Sequence, residues 1–337
     1  MSGKLVLVTS PTGFLGAHVF RELLEKGYRV RGTARSKEKA DELKKDFSKY
    51  AAQIESFVDV QDIASDNCFD EAVKGVDYVI HVASPFFTDI KNNEKDMLIP
   101  AIKGTKNVLS ACGKEKSIKR LILTSSFAAI LDFDKGTRPG YTYTEKDWNP
   151  TTYEEAAKSD KGGYVYCASK KLAEKEAWDY VEKNKPSWDM ATMCMPMIFG
   201  PVVHPVKSMD KLNTSTAQIW SVINGEAKEV PATDFPAWVD VRDAATAHVE
   251  ALENPQASNQ RFLVAAGYFD NNDIARIAKK RYPERNIPEP KSNEKIDAYT
   301  VDGSKAEKIL LGRKYITLKK CITDTADQLF KLEKELS

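Results

Sequence analysis

Hydrophobic residues along this chain alternate between short unbroken runs and stripes spaced four apart. Val6, Leu7 and Val8 form the first run, suited to a strand covered on both faces. Leu15, Val19 and Leu23 then recur every four residues with Phe20 and Leu24 beside them, which is the stripe of an amphipathic helix. Gly27 stands where that helix should be capped. Runs at 28–33, 54–60, 77–83 and 120–124 predict further strands, and the intervals between them, notably 95–112, predict helices. A helix rich in Lys, Ala and Glu is expected over 166–184, followed by Pro186, then a strand over 191–199 bounded by Gly200 and Pro201.

Beyond this the alternation loosens. A helix is predicted at 213–224, a strand end feeding a helix at 239–254, and a returning strand at 261–265. Helices dominate from 270, with a proline-rich connection at 287–290. Repeated strand–helix–strand units imply a parallel sheet with right-handed crossovers. The expected fold class is α/β, a doubly wound parallel sheet with a smaller, mostly helical C-terminal part.

Composition narrows the class. With 337 residues and 42% hydrophobic content the chain can bury a sizeable core. Lys plus Arg number 50 against 49 for Asp plus Glu, mixed along the chain, so no nucleic-acid tract is expected. No apolar run reaches about 18 residues, and MSGKLVLVTS leads directly into the first strand. Neither a signal peptide nor a membrane partner is expected, and a cytoplasmic location is. The five cysteines (Cys68, Cys112, Cys167, Cys194, Cys321) are widely spaced with no CxxC pair, so reduced thiols are expected. His18, His81, His204 and His248 lack metal spacing, and no metal is expected.

The candidate chemistry starts at LVLVTSPTGFLG, residues 5–16. Gly13 and Gly16 open the helix as in a dinucleotide loop, but Ser10 stands where an earlier glycine belongs. Gly13 and Gly16 can still admit a pyrophosphate and pack helix on strand. Ser10 should carry the turn at a cost of about 1 kcal/mol with negative φ, and more with positive φ. The plainer reading is a strand–turn–helix with two packing glycines. A carboxylate belongs about 20 residues further on in an NAD-binding fold. Here RVRGTARSKEKA offers Arg35 and Lys39 instead, cations suited to a 2′-phosphate, so NADP(H) is favoured. A solvated basic surface would account for Lys37 and Lys39 well, and for Arg35 less well.

YCASK, residues 166–170, sets Tyr166 and Lys170 one helical turn apart. A phenol with pKa near about 10 transfers a proton at neutral pH only when a neighbouring ammonium stabilises its phenolate. The same spacing recurs at Tyr315 and Lys319, but no serine-bearing strand leads into it, so Tyr315 is expected to pack or lie on the surface. Tyr166 instead follows a strand ending in LTSSFA.

Together these motifs resemble the extended short-chain dehydrogenase/reductases, above all the fungal NADPH-dependent carbonyl reductases and their plant relative dihydroflavonol reductase. The resemblance rests on TSPTGFLG (9–16), GTARSKEK (32–39), HVASPF (81–86), LIPAIKGTKNVL (98–109), LTSSFAA (123–129), YCASK (166–170), FGP (199–201) and VDVRDAATAH (239–248). It implies Ser126, rather than Ser125, as the catalytic serine, Tyr166 as general acid and Lys170 as its partner. Arg35 and Lys39 fall at the 2′-phosphate, Asp62 and Ile63 at the adenine, and Ala83, Ser84 and Pro85 at the nicotinamide side. Thr9, Ser10, Thr12, Gly13, Phe14, Leu15, Thr124, Pro196 and Ile198 complete the implied NADP(H) contacts with Tyr166 and Lys170. Phe86, Phe127, Val202 and Trp238 are candidates for the substrate pocket, plain core packing being the alternative for half of them.

On this basis residues 1–195, rejoined by 236–265, are expected to form the dinucleotide-binding domain, with 196–235 and 266–337 as the substrate-binding part. Three departures from the family pattern stand out. Ser10 replaces a glycine, Met195 stands where a proline is usual with Pro196 next to it, and Ala101 occupies the place of a relay asparagine. The implied activity is NADPH-dependent reduction of aldehydes and ketones such as keto esters, diketones and methylglyoxal-like carbonyls, with the proton from Tyr166. SPFF and the aromatic candidates suggest an apolar carbonyl compound as the small-molecule partner, and the protein is expected to be a monomer or homodimer. One alternative is a sugar-nucleotide epimerase or dehydratase with tightly held NAD, which Arg35 disfavours. Another is a non-catalytic NADP-sensing regulator, a class that typically lacks the tyrosine and lysine found here.

Overall fold

A computed structural model of the chain describes residues 3–84, 91–291 and 296–336. The apolar runs and stripes give β1 (Leu5–Thr9), α1 (Phe14–Glu25), β2 (Arg29–Ala34), α2 (Lys37–Asp46), β3 (Ile54–Asp59) and β4 (Tyr78–His81). Next come α3 (Ile99–Lys114), β5 (Arg120–Ser126), β6 (Thr142–Tyr143), α4 (Tyr153–Lys158), α5 (Gly162–Asn184), β7 (Asp189–Met195) and β8 (Met197–Phe199). The chain closes with α6 (Thr214–Ile223), β9 (Ala237–Asp240), α7 (Val241–Glu250), β10 (Gln260–Leu263), β11 (Gly267–Tyr268), α8 (Asn271–Arg281), β12 (Thr300–Val301), α9 (Ser304–Ala306) and α10 (Leu318–Leu336).

Seven strands form one parallel sheet in the order β10-β7-β5-β4-β1-β2-β3. The expected doubly wound α/β class is borne out. Val6 and Val8 face a core shared with α1 and α7, while Leu5 and Leu7 face one shared with α3 and α5. Strand order reverses between β1 and β4, which opens a crevice at the carboxyl edge where ligands of such sheets bind.

One predicted strand is two. The run at 191–199 breaks at Pro196, which has no N–H to give a ladder. Met195 ends β7 in the main sheet, and β8 pairs with β9 in a small three-stranded sheet completed by β11. That sheet and helices α6, α8 and α10 enclose a separate core around Phe199, Trp238, Phe269 and Phe330. The helix predicted from 166 begins at Gly162, so Tyr166 lies one turn inside α5. Among the described residues no helix is long and apolar enough to cross a membrane.

Candidate active site

β1 ends in the turn that Ser10 occupies with φ 56°, the left-handed region, so the costlier of the two expectations for this residue holds. The turn is fixed from several sides. Ser10 N donates to Thr33 Oγ1 at 3.2 Å, and Gly13 N donates to the Ser10 carbonyl at 3.3 Å. A Cβ on Gly16 would stand 2.2 Å from that carbonyl, so only glycine lets α1 pack so closely on the turn. Gly13 precedes α1, whose first turn carries no acidic residue, and its N–H groups face the crevice with the positive end of the helix dipole.

Two cavities lie along this edge and share Ser84. The first, about 780 Å³, runs past Ser10, Thr12, Asp62, Ile63 and Ala83. Arg35, Lys39, Lys91 and Lys95 line it against the carboxylates of Asp62 and Asp96, an electropositive slot. Arg35 directly follows β2, and Lys39 sits in the first turn of α2, where its N–H is capped by Ser36 Oγ at 3.3 Å. Lys37 is not among the lining residues. Asp62 Oδ1 accepts from Ala64 N at 2.9 Å, which holds the loop at the cavity wall.

The second cavity, about 950 Å³, contains Thr124, Ser126, Phe127, Tyr166, Lys170, Pro196 and Ile198, with Phe14 and Leu15 from the start of α1. Strand alternation separates the two serines of β5. Ser125 Oγ donates to Glu174 Oε2 at 2.7 Å, whereas Ser126 lines the cavity with Tyr166. Ser126 Oγ accepts from Ala128 N at 3.1 Å, which fixes its rotamer. Burial pushes the Tyr166 phenol up to about 12, with the Ser126 hydroxyl opposing the shift. Lys170 Nζ lies 5.4 Å from the Tyr166 ring centre and donates to Ser84 Oγ, and burial lowers it to about 8.

Two buried histidines support this edge. Thr9 Oγ1 accepts from Val82 N and Ala83 N, both at 2.9 Å, so its proton goes to His81 Nδ1 at 3.1 Å. Burial, aided by the nearby Lys170 charge, lowers His81 to about 3 and keeps it neutral. His248 donates from Nδ1 to the Ala244 carbonyl at 2.7 Å and takes the Thr124 hydroxyl proton on Nε2 at 2.9 Å. Burial holds it neutral as well, at about 4.

Four anticipated contacts, Thr9, Gly13, Val202 and Trp238, do not line either cavity. Thr9 is fully buried beneath the loop, its hydroxyl committed to the end of β4. Trp238 is buried against Phe199, and Val202 is clamped through its backbone by Gln328, at 2.6 Å and 2.7 Å. Phe127 does line the second cavity, backed by Tyr143 and Tyr299 at ring distances of 5.5 Å. Pro85 and Phe86 lie outside the described residues. Ala101 is buried on α3, and Tyr315 packs with its hydroxyl on the Gly303 carbonyl at 3.1 Å.

Sequence reasoning missed Lys91 and Lys95 in the first cavity and Gln218 and Asn271 in the second. The lysines sit in a charged run that reads as a solvated face. The two amides sit in helices whose polar positions carry no motif.

The sequence profile of the 3-beta hydroxysteroid dehydrogenase/isomerase family matches residues 7–275. An uncharacterized oxidoreductase of Schizosaccharomyces pombe is 47% identical over 99% of both chains. An NADPH-dependent methylglyoxal reductase of Saccharomyces cerevisiae is 35% identical, with 97% of this chain and 98% of that one covered. The crystal structure of yeast methylglyoxal/isovaleraldehyde reductase complexed with NADPH superposes with a TM-score of 0.91 at 34% identity, covering 98% of this chain and 99% of that one.

Proposed function

The chain belongs to the 3-beta hydroxysteroid dehydrogenase/isomerase family, and we propose that it is an NADPH-dependent reductase of aldehydes and ketones. The observation that carries this reading is the convergence of Ser126, Tyr166 and Lys170 on one cavity, which meets an electropositive slot at Ser84. The slot suits NADPH in charge and in donor groups. Arg35 and Lys39 would hold the 2′-phosphate, the N-terminus of α1 the pyrophosphate, Asp62 and Ile63 the adenine side, and Lys170 the nicotinamide ribose. The relatives named for NADPH support that choice.

Bound NADPH supplies the hydride. Ser126 and Tyr166 present hydroxyls to the carbonyl oxygen of the substrate and polarise it. Tyr166 is protonated at neutral pH, since burial holds its phenol near 12, and it delivers the proton that completes the alcohol. Lys170 places an ammonium beside the phenolate left behind and lowers the cost of forming it. Keto esters, diketones and methylglyoxal-like carbonyls are the proposed substrates. Following NADPH absorbance with a panel of them tests the reading. Tyr166→Phe should lower kcat roughly 10²–10⁴-fold while NADPH still binds. A Phe variant with nearly full activity, or wild type inert towards the whole panel, refutes it.

A further inference from the structure

The second cavity has two kinds of wall. Phe127, Leu131, Met197, Ile198 and Ala237 make an apolar floor beside Tyr166, whereas Gln218 from α6 and Asn271 from α8 bring amides to the same space. At about 950 Å³ it reaches the upper end of the range for whole drug-sized ligands, roughly 300–1,000 Å³. The nicotinamide end of NADPH would take the part of it lined by Phe14, Leu15, Thr124 and Lys170, and a three-carbon aldehyde in the remainder would leave the polar wall in contact with water.

The amides are held in one orientation. Asn271 is buried, and its Nδ2 donates to the carbonyls of Pro231 at 3.2 Å and Ala232 at 2.9 Å. Two carbonyl partners require the NH₂ there, so Oδ1 faces Gln218 and takes an N–H from its Nε2 at 3.2 Å. Asn271 N is held in turn by Thr233 Oγ1 at 2.8 Å. This relay turns Gln218 so that its Oε1, which has no hydrogen-bond partner among the described residues, remains as the amide's acceptor at the cavity wall. Asp234 adds a second acceptor, and Lys170 is the only cation among the described lining residues.

We propose that the Gln218–Asn271 relay is a substrate subsite that selects bulky carbonyl compounds carrying a neutral hydroxyl on the part remote from the reacting carbon. A hydroxyl can donate to Gln218 Oε1 and accept from the remaining Nε2 proton. An ether can only accept, and a carboxylate meets the Asp234 charge without a second cation to balance it. The proposal rests on the reductase reading and adds to it a preference that the Ser126–Tyr166 pair does not impose.

The test compares benzylacetone, its para-hydroxy derivative and its para-methoxy derivative as substrates, in wild type and in Gln218→Leu. A neutral hydrogen bond contributes about 0.5–1.5 kcal/mol, so wild type should favour the hydroxy ketone over the methoxy ketone roughly two- to twelvefold in kcat/KM. In Gln218→Leu that ratio should collapse to about one. Equal efficiency for the two in wild type, or a ratio that survives in the variant, overturns the subsite while leaving carbonyl reduction intact. No turnover of any of the three, nor of the wider panel, would sink the reductase reading and this inference together. Equal efficiency in wild type overturns the subsite even if the variant folds poorly.

Discussion

At the scale of single residues, the turn and the catalytic helix carry opposite lessons. Ser10 occupies a backbone region that costs a non-glycine residue roughly 1–2 kcal/mol. Ser10→Gly should therefore raise stability by up to about 1 kcal/mol once the unfolded-state entropy of glycine is subtracted, read as a higher midpoint in denaturant. The sequence exposed the missing glycine, but only the three-dimensional turn shows φ 56° and so the sign of that change. For Lys170, burial lowers the ammonium from 10.5 to about 8, so the charge is present below about pH 8 and lost above it. The kcat/KM for carbonyl reduction should fall as pH rises through that value, and Lys170→Arg should move the limb to higher pH. A profile flat to pH 10 would separate activity from this ammonium. The linkage for stability runs the other way. The folded state binds fewer protons than the unfolded one between about 8 and 10.5, so the cost of holding Lys170 charged shrinks as pH rises across that window.

At the scale of elements, one buried carboxylate ties the catalytic helix to the sheet. Glu174 on α5 receives Arg261 of β10 on both oxygens at 2.8 Å and 3.1 Å, Thr192 of β7 at 2.8 Å and Ser125 of β5 at 2.7 Å. Arg261 also donates to the Ala129 carbonyl at 3.3 Å, at the end of the turn that carries Phe127. Removing one partner leaves the other charge buried and unmatched, so Glu174→Ala should cost about 3–5 kcal/mol, and Glu174→Leu with Arg261→Met should recover much of it. Chemical denaturation of the three proteins measures both effects. Nothing in a helix read as rich in Lys, Ala and Glu singles out Glu174, because its ion-pair partner is 87 residues away. The break at Pro196 was written in the chain, yet the unbroken apolar run around it concealed that β8 leaves the main sheet.

At the scale of the whole molecule, the doubly wound sheet brings the β1 turn, the end of β2, the end of β5 and α5 to one edge, and the C-terminal helices close over it. A ligand that binds only the folded protein raises its stability by roughly 2.7 kcal/mol at a hundredfold excess over Kd. NADPH should therefore raise the melting temperature more than NADH at equal concentration. Arg35→Asp should remove most of that difference with little effect on NADH. Equal losses for both coenzymes would remove Arg35 from the 2′-phosphate. Added salt should weaken the NADPH advantage, since Arg35 and Lys39 are exposed and screened.

Local periodicity and short motifs were enough to establish the parallel α/β class, the glycine loop, the Arg35 and Lys39 cations and the Tyr166–Lys170 spacing, because each depends on residues close together in the chain. Tertiary structure alone decided that Trp238 and Val202 are core, that Ser125 is spent on the buried Glu174, and that Gln218 is turned by Asn271 toward the substrate cavity. Those outcomes depend on which distant segments pack against one another, and local hydrophobic patterning does not encode the direction in which a polar side chain finds its partner.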